Sequence, residues 1–504
     1  MSLSIIYSRA QLGVIAPAVT VETHIANGLP CLSIVGLPEA AVKESKDRVR
    51  SALVNSGFSF PNRKITINLA PADLPKSGGR YDLAIAMGVL LATGQVPSAK
   101  ITNIEFIGEL ALSGDIRPVS GVLSASAACA EAGHVLVLPA ENAAEASLYE
   151  GVKLIPAKSL SELCHWLTMD ESLPLFLPAD RGRQVTITYP DFSEVRGQFQ
   201  AKRALEIAAA GSHNILLFGP PGTGKSMLAS RLPGILPPLT ADEALEVATV
   251  HSVAGMTIRV DDWARRPFRS PHHTASAVAL VGGGSHPKPG EISLAHRGVL
   301  FLDEFPEYDR KVIEVLREPL ESREIVISRA AGRLTFPANF QLVAAMNPCP
   351  CGYAGHPTVA CSDSVAQIER YQGKISGPML DRFDIQVEVP PQEAKIFTRR
   401  PDAEESTEVI RSRVARARLA QMRRGKVNAE LTPTDLQEVA EIDGQAMQFL
   451  EQAVSRLNLS ARAIHRIMRV GRTIADLAGE TAVSRNHIAE AIGYRKYDRS
   501  LKPL

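Results

Sequence analysis

NILLFGPPGTGKS, residues 214–226, decides how the chain is read. Four apolar residues, a run of the kind that forms a buried strand, lead into Gly219-Pro220-Pro221-Gly222-Thr223-Gly224-Lys225-Ser226, and the helix-forming stretch SMLASRL follows. Strand, glycine loop and helix in that order turn backbone N–H groups inward around phosphate oxygens at the positive end of the helix. Lys225 then reaches the β- and γ-phosphates, and the Ser226 hydroxyl ligates Mg²⁺. The spacing predicts a nucleotide-binding α/β unit.

Downstream, GVLFLDEF (298–305) is a second apolar strand, ending in Asp303-Glu304. Two adjacent carboxylates at the end of a buried strand are costly unless a cation meets them. Asp303 is expected to hold Mg²⁺ through water, and Glu304 to orient or deprotonate an attacking water. FQLVAAMN (340–347) is a third such strand, and the amide of Asn347 is placed to position that water. Arg382 follows a turn in SGPMLDRFDIQVEV, and Arg462 lies near a helix start in LSARAIHRIMRV. A planar, permanently charged fork suits a developing phosphoryl charge. Spacing alone also accommodates both as surface or salt-bridge arginines.

Charge and composition bound the rest. The 504 residues are 45% hydrophobic and 22% charged, a globular composition that excludes disorder over most of the length. Lys+Arg number 55 against Asp+Glu 54, so the net charge is +1 and any nucleic-acid surface must be a local patch. No basic stretch followed by an apolar core opens the chain, and the longest apolar run, LAIAMGVLLA after Asp82, is about half of the ~20 residues a membrane span needs. A cytoplasmic protein without a membrane segment is the expectation.

Short apolar strands alternating with Ala-rich helical stretches define one α/β unit over 1–170. A Pro-rich linker covers 171–190, a second α/β unit 191–395, and a nearly all-helical region 396–504. Cys31, Cys129 and Cys164 stand alone, whereas NPCPCGYAGHPTVACSDS clusters Cys349, Cys351 and Cys361. Three thiolates with Asp363 or with His356 could complete a tetrahedral zinc site; three reduced structural thiols are the other reading. The basic run Arg411, Arg413, Arg416, Arg418, Arg423, Arg424 and Lys426 reads as a solvated helix or a subunit contact rather than as a DNA surface. His272-His273 reads as structural, having no carboxylate partner nearby in the sequence.

Together the motifs of residues 191–504 resemble the AAA+ ATPases, and more narrowly the clade of magnesium chelatase subunit I and the MCM helicases. The resemblance makes DFSEVRGQ (191–198) the segment around the adenine of ATP. GPPGTGKS and LFLDE become Walker A and Walker B, Asn347 sensor 1, Arg382 an arginine finger acting in trans, and Arg462 sensor 2 on a C-terminal helical lid. REIVISRAAGRLTFPANF (323–340), two short strands around RAAG, becomes a hairpin that projects into a central pore, with Arg329 and Arg333 available to DNA phosphates.

PADLPKSGGRYDLAIAM (71–87) and GELALSGDIRPVSGV (108–122) are similar to the Lon proteolytic domain, but Arg80 falls on its serine and Leu123 on its lysine. A Lon-like fold without the peptidase is implied.

The order of these parts resembles the YifB/ComM family. That resemblance implies an ATP- and Mg²⁺-dependent homohexameric ring acting as a helicase on single-stranded and branched DNA, promoting branch migration as transforming DNA is integrated. Two alternatives stand beside it: a chelatase-like subunit that drives metal insertion through a partner, and a protein remodeller. The basic, small RAAG tip disfavours the second, since gripping polypeptide calls for an aromatic loop.

Overall fold

A computed structural model describes residues 2–169, 174–177, 187–284, 287–329, 332–392, 404–457 and 459–495. Much of the expected linker (171–190), part of the turn after Pro390 and the side chain of Arg329 lie outside the described residues.

The first unit is built on a seven-stranded sheet. Its strands are Ser2–Arg9 (β1), Ala18–Ala26 (β2), Cys31–Val35 (β3), Lys64–Ala70 (β4), Ile104–Phe106 (β5), Val135–Pro139 (β6) and Lys153–Ala157 (β7), in the order β3-β4-β2-β1-β5-β6-β7. β2 pairs antiparallel with β1 and β4, and the other pairings are parallel. Helices Ser45–Asn55 (α1) and Asp82–Ala92 (α2) share one hydrophobic core with the sheet. The long apolar run is α2, buried along most of its length. Among the described residues no helix is long and apolar enough to cross a membrane.

The second unit holds a five-stranded, wholly parallel sheet. Ile215–Phe218 (β8), Phe268–Arg269 (β9), Val299–Leu302 (β10), Gln341–Met346 (β13) and Ile385–Glu388 (β14) lie in the order β9-β10-β13-β8-β14, with the hairpin Glu324–Arg329 (β11) and Gly332–Pro337 (β12) inserted before β13. Both faces of this sheet are covered, which is why its strands read as unbroken apolar runs. Ile215, Leu217, Val343 and Ala345 face a core shared with helices Phe199–Gly211 (α4), Thr407–Arg423 (α7), Ala461–Ala478 (α9) and Arg485–Gly493 (α10). The intervening Leu216, Phe218, Leu342 and Ala344 enter a second core on the other face.

The two units touch. Helix Val122–Glu131 (α3) of the first meets Ala241–Ala254 (α6) of the second, where Leu123 and Leu148 pack with Ala248 and the Gly121 N–H donates to the Ser252 carbonyl at 3.0 Å.

Candidate functional site

Parallel pairing brings three strand ends to one edge. β8 runs beside β13 with Phe218 opposite Met346, and β10 beside β13 with Leu302 opposite Ala344. The residues that follow these strands, Gly219, Asp303 and Asn347, therefore emerge together at the carboxyl edge of the sheet, where open α/β sheets bind ligands. Gly219 is required by a close approach, since a Cβ there would collide with the Val389 carbonyl. Gly224, at φ +90°, caps the five-residue helix Lys225–Ala229 (α5), and a left-handed backbone at that point favours glycine.

The Lys225 ammonium donates to the carbonyls of Gly219 at 2.7 Å and Pro220 at 2.8 Å, and to Asn347 Oδ1 at 3.1 Å. Burial pushes its pKa down to about 8, while Asp303 and Glu304 pull the other way. Ser226 Oγ donates to Asp303 Oδ2 at 2.6 Å, so the two side chains expected at Mg²⁺ converge without being near in sequence. Gln198 donates to the carbonyls of Thr223 and Pro390, tying the 191–198 segment to the glycine loop. Such a loop, ammonium and hydroxyl–carboxylate pair suit a nucleoside triphosphate with its divalent cation.

Glu304 stands beside this group in a left-handed backbone, φ +51°, with its N–H on Asp303 Oδ1. Its carboxylate is paired with His273 Nδ1 at 2.9 Å, and the His273 ring lies against that of His272, tilted by 34° with centroids 4.1 Å apart. Sequence reasoning left that histidine pair without a carboxylate; the partner arrives from the end of β10, a neighbour only in the folded sheet.

Arg382 and Arg462 lie elsewhere. The Arg382 carbonyl accepts from Asn214, the residue before β8, and its side chain is bound to Glu321. The phosphate loop leaves the opposite end of that four-residue strand, roughly 13 Å away at about 3.3 Å per residue. Arg462 sits at the start of α9 with its guanidinium 4.0 Å from Asp381, beside Arg382. Both arginines thus share the amino edge, away from their own chain's Lys225.

β11 and β12 pair antiparallel with Ser328 opposite Arg333 and Arg329 opposite Gly332. Ile325, Ile327 and Phe336 root the hairpin in the core, and Arg333 is exposed near its tip.

Immediately after Asn347, the sulfurs of Cys349, Cys351 and Cys361 stand 3.3, 3.5 and 3.6 Å apart. Asp363 joins them in a group whose ligand atoms all lie within 4.8 Å. His356 instead accepts from the Val359 N–H at 3.0 Å.

The basic run is solvated only in part: Arg416 and Arg423 are exposed, whereas the others have partners. Arg411 donates to the Gly234 carbonyl, Arg413 pairs with Glu206 and Glu405, Arg418 donates to Ala209, Arg424 pairs with Asp476 and Lys426 with Asp435. Arg413 and Arg418 pin α7 onto α4, and Arg424, just past its end, ties it to α9. In the first unit Arg80 is buried, donating to Gln11 Oε1 at 3.2 Å and to the Ser120 carbonyl at 3.0 Å, and Leu123 is buried as well.

Comparison with known proteins agrees with this layout. Family models described as "Magnesium chelatase, subunit ChlI", "Magnesium chelatase, subunit ChlI C-terminal" and "Subunit ChlI of Mg-chelatase" match residues 191–396, 404–495 and 21–142. The chain is 49% identical to "Competence protein ComM" of Haemophilus influenzae over 100% of its own length and 99% of the relative's. It is 47% identical to YifB of Escherichia coli over 99% and 98%. The magnesium-chelatase 38 kDa subunit of Rhodobacter capsulatus is 25% identical over 62% of this chain and 87% of its own. Identity near one half along the whole length, over a chelatase-type site on a parallel sheet, means that the chain belongs to the YifB/ComM family of magnesium-chelatase-like AAA+ ATPases.

Proposed function

We propose that this chain is an ATP-driven, homohexameric DNA helicase that promotes branch migration during recombination, in the setting of integrating transforming DNA. The observation that carries the reading is the full-length likeness to a competence protein, against a likeness to a chelatase subunit that covers only 62% of the chain. The first unit we read as a Lon-like fold with Arg80 and Leu123 where a peptidase would need serine and lysine.

In this reading the glycine loop and Lys225 bind the triphosphate, and Ser226 and Asp303 hold Mg²⁺. The cation, when bound, neutralises charge on the transferring phosphoryl group. Glu304 takes the proton of the attacking water or orients it, and Asn347 positions that water. His273 holds the Glu304 carboxylate. Arg382 and Arg462 complete the site of the neighbouring subunit, because neither is at the edge where its own chain's Lys225 lies. A ring is the assembly that supplies every site with a neighbour. Arg329 and Arg333 on the hairpin contact DNA phosphates in the pore, and residues 404–495 form the lid.

Cys349, Cys351, Cys361 and Asp363 hold zinc. Sulfur separations of 3.3–3.6 Å approach the edge of about 3.8 Å that a tetrahedron of ~2.3 Å Zn–S bonds requires. The Ala354 N–H on Cys349 Sγ supplies an outer hydrogen bond of the kind metal-bound thiolates receive.

Steady-state ATPase, measured with and without single-stranded and branched DNA across a salt series, tests the proposal. Strong stimulation that fades with salt supports a DNA motor. ATPase indifferent to DNA but raised by a partner protein would move the assignment to a chelatase-like or remodelling role.

A further inference from the structure

Where the C-terminal helices meet the amino edge of the parallel sheet, a cleft of about 690 Å³ opens. Its walls carry Arg266 and Arg297 from the ATPase core, Arg382 before β14, and Arg418, Arg466 and Arg469 from α7 and α9. Three of these have counter-charges: Arg297 meets Glu243 and Glu246, Arg382 meets Glu321, and Arg466 meets Asp384 at 2.6 Å.

The other three form no direct ion pair among the described residues, although Glu243 lies near Arg266 and Arg418, Glu430 near Arg418 and Asp384 near Arg469, and these carboxylates share the lining with a larger number of basic side chains. Arg266 donates to the carbonyls of Pro237 and Arg297, Arg418 to that of Ala209, and Arg469 to that of Leu431. A carbonyl satisfies a donor but does not neutralise a cation. Arg418 Nε is also buried without any acceptor, as is Arg382 Nε. Burial, with the Arg266 guanidinium adding to it, pushes Arg418 down to about 10. Arg266 and Arg469 are lowered by burial too, against the pull of Glu243 and Asp384, with Arg297 and Arg466 adding to the shift. Withdrawing positive charge from water without a directly paired counter-ion is costly, and an orphaned buried donor adds to that cost.

We propose that this cleft is a second anion site, one that takes a small polyphosphate and is separate from the phosphate loop. Arginine forks match phosphate oxygens in pairs, and three of them converging leave donors to spare. The volume falls in the range of small-ligand pockets and excludes a nucleic-acid duplex. Position separates the two sites: the residues lining the cleft include Asn214, Gly298 and Gln341, at the amino ends of β8, β10 and β13, whereas the phosphate loop leaves the carboxyl end of β8. Because one wall is the core and the other α7 and α9, a bound polyphosphate ties the helical region to the sheet.

The test uses full-length Lys225→Ala protein, in which the phosphate loop is disabled, titrated with inorganic tripolyphosphate by calorimetry and by thermal shift. Saturable binding of one tripolyphosphate per chain with a raised Tm is expected. Adding Arg418→Gln or Arg469→Gln should weaken it at least tenfold, and Arg469→Lys should retain part of it even if the glutamine variants fold poorly. ATP in place of tripolyphosphate distinguishes the sources: tighter binding of ATP makes the ligand a nucleotide, equal or weaker binding makes it a free polyphosphate, and both uphold the site. No binding, or binding untouched by the Arg418 and Arg469 substitutions, overturns the proposal. Binding lost only in Arg382→Ala also overturns it, by assigning the anion to a neighbouring subunit's nucleotide.

Discussion

Glu304 is under two constraints at once. Its left-handed backbone costs on the order of 1–3 kcal/mol for a residue with a side chain, and its carboxylate is held by His273. Replacing Glu304 with Gln keeps the shape and removes the base, so turnover should fall by about 10²–10⁴-fold while nucleotide still binds. Single-turnover ATPase beside nucleotide affinity checks this, and unchanged turnover removes the water-activating role. His273→Ala should lower kcat by about tenfold, near 1.4 kcal/mol, with nucleotide affinity preserved, because orientation of the carboxylate is lost and the phosphate loop is untouched.

Asp384 shows the same dependence on partners in a structural setting. It is buried against Arg466 at 2.6 Å and His213 at 3.2 Å, and the Arg466 guanidinium with the hydrogen bond to His213 holds its carboxyl below the usual range in spite of burial. Asp384→Ala should cost about 3–5 kcal/mol in chemical denaturation, since a buried charge is left unpaired. The pH dependence has one sign: a depressed carboxyl adds stability that is present above its unfolded pKa near 3.9 and is lost as pH falls below it.

At the scale of elements, β11 and β12 make a hairpin whose base is apolar and whose tip is basic. Replacing Arg329 and Arg333 with Ala should weaken DNA binding uniformly across sequences and reduce the salt slope by about two, while basal ATPase stays intact. Fluorescence anisotropy at several salt concentrations reads both quantities. The cysteine cluster is a second such element, and it packs on the phosphate loop at Gly352, where a Cβ would come within 2.7 Å of Pro221 Cδ. Asp363→Ala should lower zinc affinity by at least the order of 10–100-fold that loss of an outer-shell partner costs. Zinc release on titration with a chelator, followed by a chromophoric indicator, measures it directly. Zinc affinity unchanged in this variant would return the cluster to three reduced thiols. Helix α7 carries the lesson of the basic run: its arginines look like a solvated surface in sequence, yet most are spent on carbonyls and carboxylates of α4, α9 and the loops between them.

For the whole molecule, the separation of Lys225 from Arg382 and Arg462 across β8 is the feature with the widest consequence. On the proposed reading, a lone chain holds the parts of an ATP site at two opposite edges. Lys225→Ala and Arg382→Ala should each be inactive alone, and mixing the two should restore a measurable fraction of ATPase as sites form between a wild-type loop and a wild-type finger. Absence of recovery in mixtures shown to co-assemble would place the finger in its own chain's site. The first unit is not a passive appendage: Gly121 and Leu123 dock on α6, and Val14 packs into the core at the root of the hairpin.

The sequence by itself determined the chemistry of the nucleotide edge, because strand, glycine loop and helix are contiguous and their order admits one geometry. GVLFLDEF and FQLVAAMN were legible for the same reason: a strand covered on both faces must be apolar throughout, and its polar ending then stands out. Four matters were decided only by tertiary structure. His273 finds Glu304, Asp363 rather than His356 joins the cysteines, the arginines of α7 turn inward, and Arg382 and Arg462 gather at the far edge. Each depends on which distant segments a parallel sheet sets side by side, and local spacing along the chain carries no information about that neighbourhood.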